Sequence, residues 1–131
     1  MTLAERIATE GARLAAACTA CGACASACPM GSYAGIDDAP AVAAGMREVL
    51  LGGRGEAALG WIAACTKSGC CTAACPEGLD AALMLRFARF RAMGALGDAP
   101  RIPVKEDTQF APKVKAFARL TLSPREQEEW L

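Results

Sequence analysis

Apolar residues recur at helical spacing in four segments, and nowhere do they alternate with period two over enough residues to make a strand. Leu3, Ile7, Gly11 and Leu14 line one side of a helix expected over residues 3–16, and Thr2 with Glu5 has the spacing of a capping box at its start. A second helix is expected from near Pro40, with Asp37 and Asp38 as candidate caps, to the Gly52-Gly53 pair after Val49, Leu50 and Leu51. Residues 55–64 predict a short helix carrying Leu59, Trp61 and Ile62. Asp80 is placed to cap a further helix with Leu83, Phe87 and Phe90 on one face, stopped at Gly94 or Gly97. The expected fold class is all-α.

Two stretches interrupt this pattern. Residues 18–29 are almost entirely cysteine, alanine and glycine and close at Pro29, so the backbone there is expected to wrap around something rather than pack on itself. From residue 98 the composition shifts to mixed charge, with prolines at 100, 103 and 112. The division expected is a helical domain over 1–97 and an extended, partner-docking tail over 98–131. Ser123-Pro124-Arg125-Glu126 starts a last short helix in that tail, ending at Trp130 and Leu131.

Composition narrows the chemistry. Of 131 residues, 53% are hydrophobic but only 5% aromatic, so a core must be filled largely by alanine and needs help from outside the side chains. Fourteen basic residues balance fourteen acidic ones, which removes the electrostatic case for nucleic acid or an anionic membrane. Histidine is absent, excluding a Cys-His zinc finger, a Rieske centre, a histidine-ligated haem and an imidazole-activated nucleophile. There is no G-x-G-x-x-G fingerprint, and Gly52-Gly53-Arg54-Gly55 lacks the lysine of a phosphate-binding loop and reads as a turn. Residues 1–13 mix charges without an apolar stretch, so no export signal is expected, nor any membrane-spanning segment. A cytoplasmic location follows, with the inner face of a membrane reachable through partners. Reduced thiols in that compartment favour metal binding over disulfides.

All eight cysteines lie between Cys18 and Cys75. The first run, Cys18-x2-Cys21-x2-Cys24-x3-Cys28-Pro29, has the bacterial ferredoxin spacing that holds a four-iron cube, in which the fourth thiolate serves the other cluster. The second, Cys65-x5-Cys71-x3-Cys75-Pro76, keeps the same frame except that Ser68 stands at the second position. Crossing the fourth ligands assigns Cys18, Cys21, Cys24 and Cys75 to a complete [4Fe-4S] cluster. Cys28, Cys65 and Cys71 then form a second site one thiolate short, with Cys70 beside the gap. Three outcomes stay open there: a [3Fe-4S] cluster on three cysteines, a [4Fe-4S] cluster completed by Cys70 after a backbone shift, or one completed by Ser68. Four-cysteine zinc sites are the competing reading, but they rarely place three cysteines at successive intervals of three before a Cys-Pro. Cys70 is also consistent with a small buried apolar residue.

The runs CTACGACASACP and WIAACTKSGCCTAACPEGLD, with about 36 residues between Cys28 and Cys65 and the closing Cys75-Pro76-Glu77-Gly78-Leu79-Asp80, resemble the α-helical ferredoxin domain over about residues 10–96. The nearest likeness is to the C subunit of heterodisulfide reductase. A wider one is to the second domain of succinate dehydrogenase and fumarate reductase iron-sulfur subunits, with similar modules in glycolate oxidase. Ser68 departs from the heterodisulfide reductase pattern, which has a cysteine there, and matches the Cys-x5-Cys-x3-Cys-Pro run that holds a three-iron cluster in the succinate dehydrogenase subunit. The resemblance implies an electron-transfer subunit, without a substrate site of its own, passing single electrons between other subunits of an oxidoreductase complex, either flavin-containing or of the CCG type. The adjacent Cys70-Cys71 pair is reminiscent of CCG clusters, which need further distant cysteines. Arg86, Arg89 and Arg91, interleaved with Phe87 and Phe90, fit a solvated helix side better than a docking face.

Overall fold

Thr2 and Glu5 close the expected capping box: the Glu5 amide donates to Thr2 Oγ1 at 3.1 Å and the Thr2 amide to Glu5 Oε2 at 2.7 Å, starting α1 (Leu3–Ala17). In the computed structural model, which describes residues 1–102 and 110–130, all regular structure among the described residues is helical. The remaining helices are α2 (Ala23–Ala27), α3 (Gly31–Ala34), α4 (Ala39–Leu50), α5 (Glu56–Ala64), α6 (Cys70–Ala74), α7 (Ala81–Ala92), α8 (Phe110–Thr121) and α9 (Pro124–Trp130). Of the two candidate caps of α4 it is Asp38 that accepts, from the Ala41 amide at 3.1 Å. Asp80 caps α7 through the Leu83 amide and also accepts from Thr72 Oγ1, both at 3.0 Å, tying α6 to the start of α7.

The core lies between α1, α4, α5 and α7, where Trp61, Met46, Leu50, Ile62, Met84 and Val49 are completely enclosed. Alanine sets its spacing: Ala15, Ala58, Ala88 and Ala92 are fully buried, so helix backbones approach closely. One expected face is rotated and another is covered only in part. On α7 the buried stripe is Ala81, Met84, Leu85, Ala88 and Ala92, and Leu83, Phe87 and Phe90 only border it. On α1 the expected face is buried at Gly11 and Leu14, while Leu3 at its start is exposed. On α7 alanine takes the innermost positions, at Ala88 and Ala92, because a larger side chain there would hold the neighbouring helix off.

The tail differs from the extended arm expected over 98–131. After α7 the Arg101 and Ile102 amides return to the Ala92 carbonyl at 2.7 and 3.1 Å, and Ile102 is buried in the main core. Residues 110–121 form a three-turn helix. Pro112 is its third residue, inside the first turn where a backbone N–H has no intrahelical acceptor, so this proline does not break it. α8 packs through Ala116 on Met30 and Ala64, Lys113 Nζ donates to the Ala63 carbonyl at 2.6 Å, and the Arg119 guanidinium donates to the Tyr33 hydroxyl. Ser123 and Glu126 close a second capping box over α9. Leu131 and the Trp130 side chain, expected at the chain's end, lie outside the described residues.

The tightest approach is α4 on α5. Gly55 precedes α5 at φ +54, and a Cβ there would sit 2.3 Å from the Gly45 carbonyl oxygen and 2.4 Å from Val49 Cγ2. Both the left-handed backbone and the missing space demand glycine. Gly55→Ala is expected to destabilise the protein by about 2 kcal/mol or more. Denaturant unfolding of the variant against the parent checks this, and an unchanged midpoint would contradict it.

Candidate functional site

The two cysteine runs fold into one shape, position for position. Cys18 and Cys65 each end a helix and accept, at 3.4 Å on Sγ, the amide two residues on, from Ala20 and Lys67. Those two are the non-glycine residues with positive φ among the described residues, at 56 and 62. Gly22 and Gly69 follow at φ 85 and 77 and open α2 and α6. Cys24 and Cys71 are the buried second residues of these helices, and Cys28 and Cys75 end them, each returning its amide to a carbonyl at 3.3 Å, of Ala25 and Thr72. Two left-handed residues with one residue between them, Ala20 and Gly22 or Lys67 and Gly69, curl each loop into a shape suited to an anionic group.

α2 and α6 pack against each other, which brings thiols of both runs together. A cavity of about 350 Å³, counting the space at its mouth, is lined by Cys18, Cys21, Cys24 and Cys75, the four residues grouped by the crossed spacing. Its other walls are small or apolar, among them Ala43, Met46, Leu79 and Met84, with Glu77 the one charged residue among those described. Gly22 lets the first loop seat on α4: a Cβ there would lie 2.6 Å from Pro40 N and 2.7 Å from the Ala39 carbonyl carbon. The four thiols ring a volume instead of converging on a point. Among the described residues no three cysteine or acidic side chains stand close enough to hold a single metal ion. A multi-iron group with its own sulfides fits such a ring, whereas tetrahedral zinc, at about 2.3 Å from each sulfur, does not.

Cys71 has Cys65 and Cys28 as electrostatic neighbours, so the second group of thiols is also assembled from both runs. Ser68 stands where Cys21 stands in the first loop, and its Oγ accepts the Cys70 amide at 3.4 Å. Cys70 occupies the place of Ala23, the first residue of the short helix, and is exposed. The backbone shift that would carry Cys70 into the Ser68 position is not present. Beside Cys65 a second cavity, about 740 Å³ with its mouth, is lined by Lys67, Ala82, Leu85, Arg86, Arg89 and Lys113. This cationic wall was not legible in the linear sequence, since it draws on the second loop, α7 and α8. The only sequence signal was the arginine series of α7.

Burial pushes the Cys24 thiol up to about 11 from its ordinary 9.0, with Cys18, Cys71 and Cys21 adding repulsion and the Ala25 amide offsetting part of it. Burial likewise raises Cys71, with Cys65 and Cys28 contributing. In the metal-free chain both are neutral thiols at pH 7 and must release protons to ligate iron. A raised folded value means that the thiol favours folding fully below pH 9 and loses that advantage as pH climbs towards 11. The metal-free protein is therefore expected to lose stability between pH 9 and 11, with a flatter profile in Cys24→Ser. Denaturation midpoints across that range measure it, and identical profiles would refute the assignment to Cys24.

No described helix is long and apolar enough to cross a membrane. No curated protein and no solved structure matches the chain. A family model described as a 4Fe-4S dicluster domain matches residues 14–79, half of the chain, spanning both loops and all eight cysteines. With two thiol groups built by interlocked loops and a match over that whole span, the chain belongs to the 4Fe-4S dicluster domain family, an iron-sulfur electron-transfer domain carrying two clusters.

Proposed function

We propose that the chain is the electron-transfer subunit of a larger oxidoreductase, similar to the C subunit of heterodisulfide reductase, relaying single electrons between a donor and an acceptor subunit. The observation that carries this reading is the cavity lined by three cysteines of one loop and one of the other. Cys18, Cys21, Cys24 and Cys75 are its proposed ligands for a [4Fe-4S] cluster, and Cys28, Cys65 and Cys71 those of the second cluster. Cys24 and Cys71 are electrostatic neighbours, so the two sites adjoin across the α2–α6 contact and an electron passes between them within one small domain. The protein's part is position and poise: amides on Cys18 and Cys65 sulfur, apolar walls and limited solvent access set the potentials. On this reading the chain performs no substrate chemistry. It works in the cytoplasm, or at the inner membrane face through partner subunits of the CCG or flavin type.

Ser68 favours one variant of this role. With the second loop superimposable on the first and no thiol at its second position, the second site is a three-cysteine [3Fe-4S] site, as in relays of the succinate dehydrogenase or glycolate oxidase kind that feed quinone. Co-purification under anaerobic conditions separates the two: a CCG-type partner supports the first, a flavoprotein with a cytochrome anchor the second. A colourless protein carrying zinc would sink both and leave a zinc-stabilised interaction module.

Cys21→Ala is expected to lose the four-iron signal and much of its soluble yield, since cluster binding contributes folding energy to an alanine-rich core. Iron analysis checks it; undiminished iron would refute the ligand set. In air the parent is expected to hold about seven irons and to give the paramagnetic resonance of an oxidised three-iron cluster, which Ser68→Cys removes and Cys70→Ala leaves in place. Loss of that second cluster in Cys70→Ala would make Cys70 its ligand.

A further inference from the structure

The surroundings of the two thiol groups differ in charge. Among the described residues the first cavity has Glu77 as its one charged wall. The second, beside Cys65, is walled by Lys67, Arg86, Arg89 and Lys113 and, among the described residues, by no acid. This concentration arises in a chain whose formal charges sum to zero. Part of it has a structural purpose: Arg89 donates to the Ile62 and Ala63 carbonyls at 3.4 and 3.1 Å, and Lys113 to Ala63, satisfying the end of α5. Lys67 and Arg86 have no such task. Both side chains are exposed, and neither is hydrogen-bonded or ion-paired among the described residues.

The cavity is also continuous with an apolar surface. Lys113 lines both it and the adjacent groove, whose apolar walls are Phe110, Val114, Phe117 and Leu122 and whose one acid among the described residues is Glu126. Phe110 and Phe117 are 65% and 54% exposed there. An apolar patch that gives up water readily, adjoining a cavity whose Lys67 and Arg86 stand near a cluster ligand, has the anatomy of a docking site for an acidic protein surface.

We propose that the chain exchanges electrons through the face around Cys65, with Lys67 and Arg86 drawing in the acidic surface of a redox partner protein and α8 supplying the apolar contact. The inference rests on the electron-transfer reading above and adds to it the port and the partner's charge. The first site offers an acidic partner no such attraction, because Glu77 repels it.

Small one-electron oxidants of opposite charge test the port on the whole, iron-loaded chain. The anaerobically reduced protein is mixed in a stopped-flow instrument with hexacyanoferrate(III), an anion, or hexaammineruthenium(III), a cation; each takes one electron from the reduced protein and is itself reduced to the divalent metal complex. In the double variant Lys67→Glu and Arg86→Glu, the low-salt rate with the anion is expected to fall about tenfold and that with the cation to rise. Both differences should vanish near 1 M salt, where the Debye length is about 3 Å. A control with the same charge change away from the cavity, Arg6→Glu and Arg125→Glu, should retain most of the parent's preference for the anion. Unchanged rates in a variant with full iron content, or an equal fall in the control, would overturn the port while leaving the electron-transfer reading intact. A preparation without iron would remove both.

Discussion

Everything in this molecule follows from the need to hold several thiolates around one shared volume. A helix spaces side chains too regularly to ring such a volume. The chain instead reverses at Ala20 and Gly22, and again at Lys67 and Gly69, placing left-handed residues where sulfur-facing amides are needed. Each short helix that follows puts one cysteine inward, Cys24 or Cys71, and one at its end, Cys28 or Cys75. Because α2 and α6 pack on each other, the end cysteine of one loop falls beside the other loop's set. The two sites are thereby inseparable: the same contact that completes one assembles the other.

The longer helices are shaped by this arrangement. α4 and α7 supply the floor of the first cavity through Ala43, Met46 and Met84, and Gly22 presses its loop against the start of α4. Alanine predominates along the buried faces, where bulkier residues would push the helices apart and open the cavity. An alanine core buries little apolar area per residue, so metal ligation contributes a share of the folding energy that larger side chains supply in other domains. Without metal the buried thiols are held protonated, as the raised Cys24 shows, so ligation must displace their protons.

Electrostatics breaks the near-symmetry of the two loops. Where the first loop has Ala20, the second has Lys67, and α7 and α8 add Arg86, Arg89 and Lys113 on that side. Two loops of the same shape thus stand in different fields. Positive charge beside a cluster favours its more reduced, more negative form, while an apolar wall with one carboxylate does the opposite.

Much of this was legible in the linear sequence. The helices around Leu14, Trp61 and Met84, the caps at Thr2, Asp38 and Asp80, and the common frame of the cysteine runs depend on neighbours within a few residues, and local physics decides such features. Ser68 at the second position was visible for the same reason. The inner face of α7 was not, because the choice between Phe87 and Ala88 depends on how close α5 and α1 come. Nor was α8: three prolines suggested an arm, and only its seat on Met30 and Ala64, with Lys113 reaching the end of α5, gives its buried alanines a partner. The cationic wall around Cys65 joins residues from positions 65 to 113, a juxtaposition that no local pattern encodes and only the packing of α7 and α8 against the second loop decides.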